Sequence, residues 1–418
     1  MTSEHTYDVI VVGGGASGLM AAGRAAECGA RVLLLEKNKS LGEKLKISGG
    51  GRCNITNAED DPHVLLKAYG NAEQFLYSPF AQFGVKDTFS FFESRGLPLV
   101  VQARKRAFPN TEKALDVLRT LEAYARKGGV TIKTNAPVTR VVSQGGGISA
   151  VFCGTKGYEA KRFILAVGGV SHPETGSTGD GFGWLEKLGH TVVKPKPTIV
   201  PLAARERWLK DLAGVSLSFM KITFFVDGKK AFSKTGKLLF THFGLSGPLI
   251  LNCAGAVSDL LNTGLVTATI DAYPDTDLGA LERKIIKVFD ANKNKMLKNI
   301  VGEMVPEGTG KGILQLFAAE VDIEKKVHSV TVDERKKMVR LLKALPVTIT
   351  GLMGFDRAVV ADGGVPLDEL DMRTMRSTKI GNLYLTGDLL HVNRPSGGYS
   401  LQLCWTTGYV AGEHSAKA

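Results

Sequence analysis

Residues 7–36 read YDVIVVGGGASGLMAAGRAAECGARVLLLE, and this stretch decides the fold. Asp8 to Val12 is a short, mostly β-branched apolar run, the composition of a buried parallel strand. Gly13, Gly15 and Gly18 follow in G-x-G-x-x-G spacing. Ser17 to Cys28 has the small and apolar residues of a helix packed close to a sheet, and Gly29 gives it a left-handed stop. Arg31 to Leu35 is a second strand, ended by Glu36.

Dinucleotide binding needs this order. Gly13 makes the tight turn, Gly15 lets a pyrophosphate approach bare backbone, and Gly18 lets helix and strand touch. Ala16 and Ser17 head the helix, whose free N–H groups and positive dipole end face the phosphates. Glu36 sits where an acid binds both hydroxyls of an adenosine ribose. Three glycines alone are a weak signal, with a structural Gly-rich turn as the alternative. Strand, glycines, helix, strand and acid in succession are a strong one.

The chain has 418 residues, 44% hydrophobic and 22% charged, enough for two or three globular domains. Five cysteines are scattered, with no C-x-x-C pair, which points to reduced thiols in a cytoplasm and away from disulfides or a zinc site. The opening MTSEHTYD lacks a basic leader, no run is long and apolar enough for a membrane span, and no metal is expected. Net charge is +12, which favours anionic partners.

Further along, Ser48 to Asn54 (SGGGRCN) is a second stretch where backbone must lie close to something. Gly50 and Gly51 supply the approach, and Arg52 offers a planar fork for a phosphate or carbonyl. Cys53 beside it is read two ways, as a packed thiol and as a proton donor. Residues 60–128 read as mostly helical, with a basic cluster at Arg104-Lys105-Arg106. Val130 to Thr134, Val138 to Ser143, Ile148 to Cys153 and Phe163 to Val167 read as strands, the middle pair joined by a Gly145-Gly146-Gly147 turn.

Lys194-Pro195-Lys196-Pro197 marks a crossover to a strand-rich segment running to Asp275, with Asp227-Gly228 as a hairpin signal. Asp277 to Leu345 changes to helical period, giving three or four amphipathic helices. Gly308 to Gly312 (GTGKG) reads as a loop between them and lacks the spacing of a phosphate-binding P-loop. The expected domains are 1–191 with 346–418, an antiparallel β domain over 192–275, and a helical domain over 276–345.

Several blocks together resemble one family. GEKLKISGGGRCNITN, Arg106-Ala107-Phe108-Pro109, AVGGVSHPETGSTGDGF, LLFTHFGLSGPLIL, GGVPLDELDMRTMRS and LYLTGDLLHVNRPSGGYSLQ are similar, in order, to blocks of the BaiN/RdsA-type flavoproteins, also called the YhiN family. The resemblance implies an α/β fold: a Rossmann-like FAD-binding domain of glutathione-reductase type, with an inserted antiparallel β domain and a small helical domain. It implies FAD as cofactor, with Asp388 on the ribityl chain and Gly397-Gly398-Tyr399-Ser400 opening a helix toward the flavin. It also implies Lys37 and Lys44 near the cofactor, the Val138 backbone at the adenine, and Gly168 near the phosphates. No second G-x-G-x-x-G is present, so NAD(P)H is expected as a transient electron donor.

Related sequences commonly read like GEVLDVDGPTGGYN where this chain reads GDLLHVNRPSGGYS, so His391, Asn393 and Arg394 are departures that make the expected pocket rim more cationic. Proton-donor candidates are Cys53, His391 and Tyr399, with His172 and His242 in neighbouring blocks. From Val192 to Leu345 there are 24 Lys/Arg against 16 Asp/Glu, most of the excess charge. A basic roof over the flavin would suit RNA, and solvated lysine-rich helices account for the same count. Three activities follow from the resemblance: reduction of uridine in ribosomal RNA to dihydrouridine, reduction of an enone-type small molecule or oxidation of an amine, and non-enzymatic RNA binding with structural FAD.

Overall fold

Five parallel strands form the sheet that the opening stretch predicts. The computed structural model describes residues 7–417. The opening residues, on which the absence of a leader was argued, lie mostly outside them. In the sheet, Leu383–Leu385, Ala160–Leu165, Tyr7–Val12, Val32–Leu35 and Thr131–Lys133 lie side by side in that order. Val9 to Val12 and Val32 to Leu35 are almost fully enclosed, as expected of strands covered on both faces. Parallel strands end on one edge. There Gly13 N donates to Leu35 O (2.8 Å), Ala166 N to Val12 O (2.9 Å) and Thr386 N to Leu165 O (3.2 Å), so three crossover loops leave together.

The helix Ala16–Glu27 returns over this sheet and packs against the closing helix Tyr399–Lys417. The approach is close because both contact points are glycines. A Cβ on Gly408 would stand 2.4 Å from Ser17 O, and one on Gly412 would stand 2.4 Å from Ala21 O.

The chain divides into two compact units, one of residues 1–196 with 359–418, the other Pro197–Ala358. In the first, Arg140–Gln144, Gly147–Cys153 and Lys156–Tyr158 form the expected meander, turned at Gly145 and Gly146. Residues 60–128 are helical over Pro62–Lys67, Glu73–Gln82, Val85–Glu93 and Ala114–Lys127. A small sheet of Thr56–Asn57, Arg106–Pro109 and Leu99–Gln102 interrupts them; its strands are too short to show a period.

The second unit is a closed barrel with helices. Leu202–Ala204, Gly244–Ser246, Lys229–Thr241, Ser216–Val226, Val266–Asp271 and Leu345–Leu352 close on themselves. Alternate residues of Val266–Asp271 are buried, the two-residue period of a barrel wall. Leu345–Leu352 belongs to this barrel, pairing Thr267 with Thr348, so the chain returns to the first unit at Val359 and not at residue 346. Four helices, Leu278–Ala291, Val301–Met304, Gly310–Ala318 and Val332–Lys343, share one apolar core with the barrel instead of forming a separate domain. Gly310 to Gly312 opens the third of them and is not loop. Pro248–Leu261 is a helix the sequence reading did not assign. Among the described residues no helix is long and apolar enough to cross a membrane, and all five cysteines are free.

Candidate active site

The loops at the carboxyl edge of the parallel sheet build a cradle for a dinucleotide. A Cβ on Gly13 would lie 2.5 Å from Ala166 O, and one on Gly18 would lie 1.9 Å from Gly13 O, so strand, loop and helix touch through bare backbone. A Cβ on Gly15 would meet nothing within 4 Å. Gly15 caps the helix Ala16–Glu27 without a side-chain hydrogen bond, and no acid occupies the first turn. The dipole end and the backbone N–H groups at Ala16 and Ser17 therefore border open space, which is what a pyrophosphate needs.

Glu36 is buried at the end of its strand. Its Oε2 accepts from Gly14 N (2.7 Å) and its Oε1 from Asn38 N (2.8 Å), which fixes the carboxylate and leaves each oxygen a further lone pair. Ala136 N donates to Glu36 O and Asn135 N to Asn38 O (both 2.9 Å), holding the segment that leads to Val138 along this acid. These features fit the adenosine half of FAD. Lys37 is engaged elsewhere, with Thr178 Oγ1 at 2.6 Å and Asp180 Oδ2 at 2.9 Å.

A second charge centre surrounds Asp388, in the loop after Leu383–Leu385. Lys44 Nζ donates to Asp388 Oδ2 (3.0 Å) and to Ser171 Oγ (2.5 Å). Arg394 Nη2 holds Asp388 Oδ1, while Arg394 Nη1 donates to Val392 O (2.6 Å) and Nε to Ser400 Oγ (3.1 Å). Burial opposes the charge on Asp388, but Lys44 and Arg394 outweigh it and hold the carboxyl down at about 2. Arg394 is 3% exposed. It is an internal clamp, so the expectation that it makes a pocket rim more cationic is corrected: every bond it makes goes inward. Gly168, with positive φ, lies against Ser177 Oγ, and its neighbour Gly169 lies against the Asp388 backbone.

The start of the closing helix is locked by a similar close approach. A Cβ on Gly398 would lie 2.2 Å from Thr56 C, and Asn57 Nδ2 reaches Gly397 O at 3.3 Å. Behind it, Gln402 Oε1 accepts from Thr56 (2.6 Å) and Thr88 (3.0 Å), and its Nε2 donates to Thr406 Oγ1 (3.0 Å). Tyr399 packs edge-to-face on buried Tyr69, whose hydroxyl donates to Tyr399 O at 2.9 Å.

The remaining candidates separate. Cys53 is fully enclosed with a left-handed φ of 61°, and burial pushes its thiol up to about 12. Of its two readings the packed thiol describes it. Gly50 and Gly51 face open space, while Arg52 stacks on Phe108 (4.5 Å) and leans toward Glu112 (3.4 Å). His391 Nε2 stands 3.4 Å from Asp362 Oδ1, a buried oxygen with no hydrogen bond of good geometry. His172 Nδ1 meets Glu174 (2.8 Å), and His242 packs edge-on against Phe243 in the barrel unit. In the basic cluster Lys105 pairs with Glu59 at 2.7 Å. The sequence reading missed Ser171, Asp362 and Tyr69. Only Ser171 carried a signal, following the Gly168-Gly169 turn closely.

Comparison with known proteins agrees with this architecture. The HI0933-like protein Rossmann domain matches residues 7–414. The chain is 29% identical over 410 residues to a 3-dehydro-bile acid delta(4,6)-reductase of Clostridium scindens, covering 97% of this chain and 98% of that protein. It is 28% identical over 411 residues to a ribosomal RNA dihydrouridine synthase of Escherichia coli, covering 97% of each. Among solved structures, a 3-ketosteroid-delta4-(5alpha)-dehydrogenase from Rhodococcus jostii superposes with a TM-score of 0.54 at 16% identity, covering 100% of this chain and 99% of that one, a likeness of fold. The chain belongs to the HI0933-like Rossmann family and is an oxidoreductase built on an FAD-type Rossmann domain.

Proposed function

We propose that this chain binds FAD at the carboxyl edge of the parallel sheet, accepts electrons from NAD(P)H, and reduces a carbon–carbon double bond, with uridine in ribosomal RNA as substrate. The uncapped helix start opening onto empty space at Gly15 carries the cofactor part of the reading. FAD, when bound, supplies hydride transfer between a nicotinamide and a carbon acceptor. The chain's own residues hold and orient it. Ala16 and Ser17 offer backbone N–H groups to the pyrophosphate, Glu36 takes the ribose, and the Val138 backbone lies toward the adenine. Asp388, steadied by Lys44, binds the ribityl hydroxyls, and Gly397 to Ser400 aim a helix start at the ring, favouring negative charge there. Two groups remain for the proton: His391, which faces Asp362 at 3.4 Å, and the Tyr399 hydroxyl.

The RNA part is supported by the excess of lysine and arginine between Val192 and Leu345 and by the relatives named as ribosomal RNA dihydrouridine synthases. Mapping dihydrouridine in ribosomal RNA from cells with and without the gene tests it: one site should disappear with the gene. The Clostridium scindens relative favours a second reading, an enone-type small molecule as acceptor. Unchanged ribosomal RNA, together with NAD(P)H-dependent turnover of a steroid dienone, would select that reading.

A further inference from the structure

Phe219 is the most exposed large hydrophobic side chain among the described residues, at 69%. It also sits in the left-handed region, φ 58°, where a bulky residue is strained. The cause is a bulge in the barrel wall. Between Leu217 and Met220 the strand Ser216–Val226 carries two residues where its partner strand carries only Lys237. The bulge turns the ring outward, opposite that lysine. Two residues on, Lys221 points out of the same face, and farther along Lys230 lies opposite half-buried Phe225.

Among the described residues no carboxylate lies within ion-pair distance of Lys221, Lys230 or Lys237. The acid in register with Lys221 on the other side is Asp271, which Lys343 already engages at 2.8 Å. The face therefore presents uncompensated positive charge beside a strained ring with nothing on it. Glycine would relax this strain, and contact with a ligand would account for keeping phenylalanine here.

We infer that this barrel face is a landing surface for single-stranded RNA, with Phe219 stacking on an unpaired base and Lys221, Lys230 and Lys237 holding phosphates. The inference rests on the RNA reading of the active site and adds where the strand is held. An aromatic ring interleaved with lysines on a sheet face suits a base and its backbone. A protein partner fits less well, because protein interfaces are depleted in lysine.

The test is binding of fluorescein-labelled oligouridine, about 12 nucleotides long, to the purified full-length chain, by anisotropy across a salt series. Phe219→Gly should weaken binding at least about fivefold while Tm stays level or rises, and Phe219→Trp should retain affinity. Lys221→Ala and Lys237→Ala should each flatten the log–log salt slope by about 0.7. Binding unchanged in all four variants overturns this surface and leaves the active-site reading to the dihydrouridine map. A fall in Tm that tracks the lost affinity makes Phe219 structural and also overturns it. So does loss of binding to anionic vesicles, or of self-association, in place of RNA.

Discussion

Two carboxylates in the first unit are held at about 2, against burial, by similar means, yet they do different work. Asp388 is gripped by Lys44 and Arg394, in the loop we propose for the cofactor. Glu369 is gripped by Lys379, by the Thr191 backbone and by buried His190, whose other ring nitrogen meets Ser377 Oγ at 2.8 Å. Ser377 Oγ already accepts from Lys379 N and Ile380 N, so its hydrogen goes to His190, leaving the imidazole neutral with its proton toward Glu369. Serine, histidine and glutamate are thus aligned as in a hydrolase, but Ser377 is 3% and His190 4% exposed, and no substrate can reach them. The same electrostatic device stands at the proposed cofactor loop in one place and fastens two loops in the other. Their exposure is nearly the same, so what distinguishes them is the loop each one stands in.

The largest expected effect probes the first centre. Arg394→Ala leaves Asp388 to Lys44 alone and should cost about 3 kcal/mol in denaturant unfolding, with FAD retention lost as well. Adding Asp388→Asn should restore part of the stability but not the cofactor. Glu369→Gln should cost about 1.5–3 kcal/mol and leave FAD binding unchanged. If it strips the cofactor, the contrast between the centres fails. Glu36→Ala should weaken FAD by about 1.5–3 kcal/mol for each charge-assisted bond lost, and should also lower stability, because Gly14 N and Asn38 N lose their acceptor.

Acid sharpens the same comparison. Both carboxyls are depressed when folded, so they bind protons more readily unfolded. Their contribution is full above about pH 4.3 and disappears as pH falls toward 2. Burial depresses His190 too, which erodes stability as pH drops below about 6.5. A urea series across pH should show two successive losses, with the upper one absent in a His190→Gln variant. Lys37→Met should be the mildest change, under about 1 kcal/mol, because its pair with Asp180 is half exposed.

The nucleotide end of the fold was legible because its signals are local: apolar runs, glycine spacing and a terminal acid fall within one crossover. The Asp388 region was legible only through resemblance. Arg394 misled, since the residue type argues for a surface and only three-dimensional packing reveals the inward bonds. His190, Glu369 and Ser377 form a cluster that one dimension cannot show. The helix Pro248–Leu261 was missed because PLILNCAGAV is apolar but for Asn252 and shows neither period clearly; the Gly247-Pro248 start was its only mark. The return at Val359 was misplaced because Leu345–Leu352 looks alike in either unit's sheet.

The joint between Ser17 and Gly408 has a consequence for biosynthesis. A ribosome translates one half of that joint long before the other. Until the later half emerges, a nascent polypeptide holds an unfinished receptacle, and prosthetic-group loading must wait. A premature stop in the closing helix would therefore yield a long, mostly folded, colourless product, conspicuous to quality-control proteases.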